Sequence, residues 1–387
     1  MMNKKQIVGI VIFILIILGV VIYKLMSDKT ISVGNLTTIY VATGGGKEDF
    51  LADERVNEIL RKKYKLNVVY DTWSNGKTVS VPLIRESVGM GNGDATGLTI
   101  RSEEASKYDV LFTSDERYYD YYRLRPVNDE ADRYTVLDGG LTLNTPIVIY
   151  SWGKVVDALI KEKIVTQKED GVYYITDMNK LIDYILEGKK WSEIGLSELY
   201  GSIRISSTDP VTSSPGTTYY GLLLNILSEA NVTNQNLEKN LPKLKEFYTK
   251  SGYMWNRPAD LFERYLFTGM GGEPMIVDYE KSIVDFANAN PKGYDEVKND
   301  IRILYSEPTI WNSHCLAIFT ENGKLLYKAF EDEEIQNIAF NKYGFRTGVT
   351  GGVYDVSSLG IAIPQTITNT VTSLKMDTYN KLIDYLK

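Results

Sequence analysis

Strand, then a glycine or hydroxyl turn, then helix: this order recurs along the chain and restricts its fold more than any other feature. Thr37–Ala42 reads as a strand ending in the turn Thr43-Gly44-Gly45-Gly46, with a helix over Asp53–Tyr64. Leu66–Tyr70 is a second strand and Tyr108–Phe112 a third, the latter followed by Thr113-Ser114-Asp115 and a helix-like Glu116–Leu124. The alternation is the βαβ pattern of an open parallel sheet with crossover helices. Between Thr78 and Ser102 the polar, Gly-rich sequence predicts an irregular excursion. Further strands are expected at Thr145–Trp152, Ser202–Ser207, Met275–Asp278, Ile301–Tyr305 and Ser313–Phe319. Helices are expected near Val155–Glu162, Leu181–Glu187, Ser192–Leu199, Tyr219–Ala230, Leu237–Lys250 (interrupted at Pro242), Ala259–Thr268, Lys324–Lys342 and Ser373–Lys387. A chain of 387 residues is long for one core, so two domains are expected.

Composition removes several function classes. Hydrophobic residues make up 43% and charged residues 24%, which fits a folded protein. The net charge of −7 understates the acidity beyond residue 26, where 40 basic face 50 acidic residues, a balance of −10. Duplex binding requires a basic face, so nucleic acid is not expected as the partner. A lone cysteine, Cys315, and a lone histidine, His314, exclude an internal disulfide and any His- or Cys-rich zinc site. Adjacent strand residues point to opposite faces, so the pair reads as strand packing and not as a nucleophile with its base. No cofactor is implied.

After Lys4 and Lys5, residues Ile7–Tyr23 run seventeen positions without a charge, and Leu25 and Met26 extend the apolar stretch past Lys24. About twenty residues cross a bilayer, and Lys24 can snorkel to the headgroups. The rival reading is a cleavable signal peptide, but no small-x-small site precedes Ser27 and no cysteine is placed for a lipid anchor. The expectation is an uncleaved anchor over residues 1–29, with the bulk of the chain outside the cell membrane.

Two turns carry candidate binding chemistry. Thr43, Gly44, Gly45 and Gly46 follow the first strand, where successive peptide N–H groups can form a nest for an anion. The turn lacks a phosphate-loop pattern, and the bland reading is a plain turn. The second is Ser206-Ser207-Thr208-Asp209-Pro210-Val211-Thr212-Ser213-Ser214-Pro215-Gly216-Thr217-Thr218, ahead of an apolar helix. It carries far more hydroxyls than one N-cap needs. It reads either as a solvated, capped loop or as an oxyanion cradle that uses hydroxyls and a helix N-terminus.

This second loop resembles the ligand loop of type II periplasmic solute-binding proteins, in particular the molybdate/tungstate-binding group. Gly272-Glu273-Pro274-Met275-Ile276-Val277-Asp278-Tyr279 resembles that family's strand ending in a ligand-facing tyrosine, and Tyr343-Gly344-Phe345-Arg346 its Gly-Phe-Arg segment. The resemblance covers about residues 36–350 in the order of elements. It implies an α/β, two-lobe clamshell, here preceded by one N-terminal transmembrane helix. Lobe 1 would be 36–144 plus 316–387, and lobe 2 would be 145–315. Crossing segments near Thr145–Tyr150 and Pro308–Cys315 would form the hinge. Ligand would meet Thr43, Gly44, Gly45, Gly46, Ser114, Thr208, Asp209, Ser213, Ser214, Gly216, Thr217, Thr218 and Tyr279. The implied function is a non-enzymatic receptor for a small oxyanion, working with an ABC-type transporter permease. The chain departs from the pattern in its anchor, its Thr78–Ser102 excursion and the acidic Asp115 beside an anion site.

Alternatives stay open at this point. The 28 tyrosines, four of them at Tyr118, Tyr119, Tyr121 and Tyr122, and the tryptophans Trp73, Trp152 and Trp255 allow a carbohydrate or other organic ligand, although packing accounts for most such aromatics. Asp115, Asp209 and Asp278 allow a cleft hydrolase, and a surface sensor is possible on the same fold.

Overall fold

The computed structural model describes residues 36–43, 46–71, 108–124, 136–347 and 359–387. The expected anchor, Gly44, Gly45, Trp73 and the Thr78–Ser102 excursion lie outside these residues. In chain order the strands are β1 (Thr37–Thr43), β2 (Leu66–Asp71), β3 (Val110–Phe112), β4 (Asp138–Trp152), β5 (Val165–Gln167), β6 (Tyr173–Ile175), β7 (Met275–Tyr279), β8 (Ile301–Ser306), β9 (Thr309–Ile318), β10 (Arg346–Thr347) and β11 (Thr370–Val371). The helices are α1 (Glu48–Ala52), α2 (Glu54–Tyr64), α3 (Glu116–Leu124), α4 (Gly153–Lys161), α5 (Met178–Glu187), α6 (Ser214–Leu227), α7 (Asn234–Lys250), α8 (Pro258–Gly272), α9 (Lys281–Ala289), α10 (Pro291–Val297), α11 (Glu321–Phe330), α12 (Glu333–Tyr343) and α13 (Met376–Leu386).

Two sheets share strand β4. The first runs β2-β1-β3-β9-β4-β10 and the second β7-β4-β8-β6-β5. Residues Asp138–Pro146 of β4 pair with β9, and from Ile147 onward β4 pairs with β7 and then β8. β1 is parallel to β2 and β3, but β9 is antiparallel to both β3 and β4. The sheets are therefore mixed and not all-parallel as the alternation suggested, because two long strands pass between them in opposite directions.

Each sheet has its own core. Phe50, Val56, Leu60, Leu326, Phe330, Ile335 and Ala339 pack helices α1, α2, α11 and α12 on the first. The second core surrounds α6, in which every residue from Pro215 to Ile226 is buried. A helix apolar all round needs partners on every side, and α5, α7, β7 and β9 supply them.

Several elements differ from expectation for local reasons. Lys324–Lys342 divides into α11 and α12 because the Asp332 carboxylate accepts from Glu334 N (2.9 Å) and Ile335 N (3.4 Å), starting a new helix. α6 starts at Ser214, inside the expected loop, with Ser213 at its N-cap position. Ser202–Ser207 forms only isolated bridges, Lys190 to Ser202 and Ser206 to Ile276. Ser192–Leu199 supplies one 3-10 turn, Trp191–Ile194.

The tail is placed differently too. Tyr379, Leu382, Ile383 and Leu386 line one face of α13 and pack into the second core against α7, not with lobe 1 where the sequence put residues 359–387. Among the described residues no helix is long and apolar enough to cross a membrane.

Candidate functional site

The carboxyl ends of β1, β3 and β7 and the start of α6 converge where the two sheets meet. Gly46, at φ +82°, ends the glycine turn in the left-handed region and turns the chain so that Lys47 enters the interior. Lys47 is 0% exposed. Its ammonium donates to Ser114 Oγ (2.9 Å), lies 3.5 Å from His314 Nδ1 and sits 5.1 Å above the Phe112 ring. Among the described residues no carboxylate is in ion-pair range of it. Burial holds its pKa down to about 7; Glu48 pulls it partway back and Lys281 pushes it lower still.

Lys281 comes from the other side of the seam, at the start of α9. It pairs with Asp285 one turn along and lies 4.9 Å from the Phe345 ring. Gly344, at φ +68°, permits this approach, since a Cβ there would lie 2.7 Å from Lys281 Cα. His314 fills the space between, its ring 5.0 Å from that of Phe345 and 6.4 Å from that of Tyr279. Burial, with both lysines nearby, keeps His314 neutral by pushing its pKa well below the ordinary value. With Nδ1 turned to an ammonium, the ring proton sits on Nε2, which is buried without a hydrogen-bond partner.

The expected ligand residues fall into two groups. Ser114 reaches the seam, as does Tyr279, whose phenol lies beside the Ser214 hydroxyl and is raised in pKa by burial. Ser214 Oγ makes no well-formed hydrogen bond. Thr218 Oγ1 donates to Asn312 Oδ1 (3.0 Å), and Asn312 Nδ2 donates to Ser114 O, so a chain of hydrogen bonds ties α6 to the first sheet through β9.

The second group is engaged within the protein. Thr43 Oγ1 donates to Phe112 O (3.3 Å), binding β1 to β3. Thr208 Oγ1 accepts from Gly216 N (3.0 Å), and a Cβ on Gly216 would fall 2.1 Å from Thr208 O. Gly216 therefore permits a close backbone approach, which is a packing role. Asp209 Oδ1 accepts from Val211 N (2.8 Å), Ser213 O accepts from Thr217 N, and Thr217 Oγ1 donates to Pro210 O (2.8 Å). Thr208, Asp209, Ser213, Gly216 and Thr217 thus hold the loop's own backbone.

Asp115 is not a bare charge facing an anion. Arg117 donates to it through Nε (2.9 Å) and NH2 (2.6 Å), and the guanidinium lies 4.1 Å from the Tyr379 ring of α13. A second buried pair also spans the seam: Arg346 of β10 meets Glu280, which follows β7, at 2.7 and 2.8 Å. The other candidates are occupied as well. Trp152 is buried and donates to Glu273 O (2.9 Å); Asp278 accepts from Tyr279 N and Ser282 Oγ, and burial raises its pKa to about 6. Among the described residues, no group of three His, Cys, Asp or Glu side chains is placed to hold a metal ion. Lys47, Lys281 and His314 were missed in the sequence; the one available signal was a lysine directly after three glycines.

No protein-family model matches the chain, and no curated protein matches it in sequence. Solved structures do match in shape. A protein from Bordetella parapertussis assigned as an extracellular solute-binding protein superposes with a TM-score of 0.55 at 11% identity, over 90% of this chain and 96% of its own. The chain has the solute-binding-protein fold. Apo ferric ion-binding protein A from Pasteurella haemolytica gives 0.54 at 11% identity, over 90% and 96% of the two chains. The Trichodesmium protein IdiA (FutA), in complex with iron and citrate, gives 0.51 at 14% identity, over 90% and 97%. At these identities the shared property is the fold.

Proposed function

We propose that this chain is an extracytoplasmic solute-binding protein that takes a small oxyanion between two lobes and delivers it to an ABC-type transporter. One observation carries the anion reading: Lys47 is fully buried at the seam and, among the described residues, its ammonium has no carboxylate in ion-pair range. A buried unpaired charge is costly, and a bound anion supplies the missing partner. The burial of Lys47, Thr218 and His314 favours a small ligand. Lobe 1 comprises 36–144 and 316–347, lobe 2 comprises 145–315 with 359–387, and β4 and β9 form the hinge. The uncharged stretch Ile7–Tyr23 tethers lobe 1 to the membrane.

A second reading takes its support from the relatives that bind ferric ion or iron with citrate. Two ammonium groups beside the site oppose a bare cation, so an anionic iron chelate is the form of that reading to test. Thermal-shift measurements on the full chain with nitrate, sulfate, molybdate, phosphate, ferric citrate, maltose and amino acids separate the readings. Stabilisation by an oxyanion is expected. Stabilisation by maltose or an amino acid alone overturns the anion reading.

A further inference from the structure

The apolar stripe of α13 is longer than the core that holds it. Tyr379, Leu382, Ile383 and Leu386 recur at helical spacing and pack into the second core against α7. Met376, one turn earlier on the same stripe, reaches past that core and also packs with the cluster that Leu111, Tyr122 and Phe319 form on the first sheet. Just ahead of the helix, Ser373 lies beside the Glu116 carboxyl of α3. Tyr379 is engaged twice. Its hydroxyl lies 3.2 Å from Thr217 Oγ1 and 3.3 Å from Pro210 O, which ties it to the second half. Its ring lies 4.1 Å from the Arg117 guanidinium of the first half, and both side chains are buried. Asp115 fixes that guanidinium through Nε and NH2.

We propose that α13 is a clasp between the halves, with Tyr379 as the positioning residue that holds Arg117 and so sets the fraction of molecules in the closed form. The proposal rests on the two-lobe reading above. Cation–π attraction is strongest where water is excluded, and opening the halves wets both partners. The contact therefore stabilises the closed form and contributes nothing to the open one. Arg117 keeps Asp115, its neighbour in sequence, as counter-charge in either form, so opening strands no buried charge. The clasp is thus weak enough to release and strong enough to bias the balance. A solute that bridges the halves binds the closed form, so its affinity follows the closed fraction although Tyr379 never touches it.

The test is a distance measurement on the full, ligand-free chain with spin labels at Glu58→Cys and Glu198→Cys; the native Cys315 is buried. Wild type is expected to populate a short and a long distance. Tyr379→Leu, which keeps the apolar stripe and removes the ring, is expected to lower the short-to-long ratio about tenfold. Tyr379→Phe keeps the ring and is expected to keep the wild-type ratio. Arg117→Lys retains the charge beside Asp115, loses the planar stack and leaves α13 untouched. It is expected to match Tyr379→Leu, and the double variant to fall no further. With molybdate as the probe, the dissociation constant of Tyr379→Leu is expected to rise as the closed fraction falls. Two populations in the same ratio in wild type, Tyr379→Leu and Arg117→Lys overturn the clasp and leave the two-lobe reading standing. A loss in Tyr379→Leu that Arg117→Lys does not share also overturns it, because the ring then acts only by packing α13. One unvarying distance in every chain, with or without molybdate, overturns both.

Discussion

Lys47 links the site to pH. Its folded pKa of about 7 lies below the ordinary 10.5, so between these values the unfolded chain binds more protons than the folded one. Stability of the ligand-free protein is therefore expected to rise with pH across that window. His314, depressed by burial, acts in the same direction at lower pH, and Asp278, raised to about 6, acts oppositely between its ordinary value and 6. Glu48, Lys281 and His314 face Lys47, and Asp285 reaches it only through Lys281. Anion binding requires the protonated amine, so affinity should fall by up to about tenfold per pH unit above 7. Lys47→Arg should flatten that profile; a wild-type dissociation constant that does not change between pH 6.5 and 9 contradicts the assignment.

The hydroxyl loop separates by residue in the same way. Ser214→Ala should weaken anion binding with little loss of stability. Thr217→Ala should cost about 1–3 kcal/mol, because Pro210 O loses its buried donor, and leave affinity unchanged. Gly216→Ala should cost about 1–3 kcal/mol through overpacking against Thr208 O. Urea melts and calorimetry on the three variants distinguish these outcomes. In the sequence the loop looked uniform, since serine and threonine announce donors without saying what they meet. Lys47 looked like any solvated lysine; Ser114, Phe112 and His314, all distant in sequence, are what surround its ammonium.

At the level of elements, local signals were readable and long-range ones were not. α2, α3, α4 and α5 were visible as helical stretches that follow strands or turns, and β1, β3 and β8 as short apolar runs between turns. The length of β4 and β9 was only half legible, because pairing between distant strands decides where each one ends. The split at Asp332 depends on one cap, and the docking of α13 depends on an exposed face of α7. The seam elements also carry a testable energy. Glu280 is held by Arg346 and by the Tyr305 hydroxyl, all buried. Glu280→Gln leaves a buried guanidinium without its counter-charge and should destabilise the fold by about 3–5 kcal/mol. A denaturation midpoint equal to wild type would show that the pair adds nothing to the fold.

For the whole molecule, two halves joined by β4 and β9 should open without ligand and close around it. Spin labels at Glu58→Cys and Glu198→Cys, one on each half, should move closer when a binding oxyanion is added, and an unchanged distance distribution at saturation contradicts closure. If Ile7–Tyr23 is retained, the mature protein should fractionate with membranes and begin before residue 26.

The chain passes between the halves along β4 and back along β9. β1 lies in one half and α13 is locked into the core of the other. Tension applied between the beginning of β1 and the end of α13 must then pass through the seam, in series with both cores. The seam should yield first, as a short, reversible extension at low force, well before either core unravels. A bound anion should raise that first force and leave the later ones unchanged, so a single-molecule pull reads occupancy as mechanical stiffness.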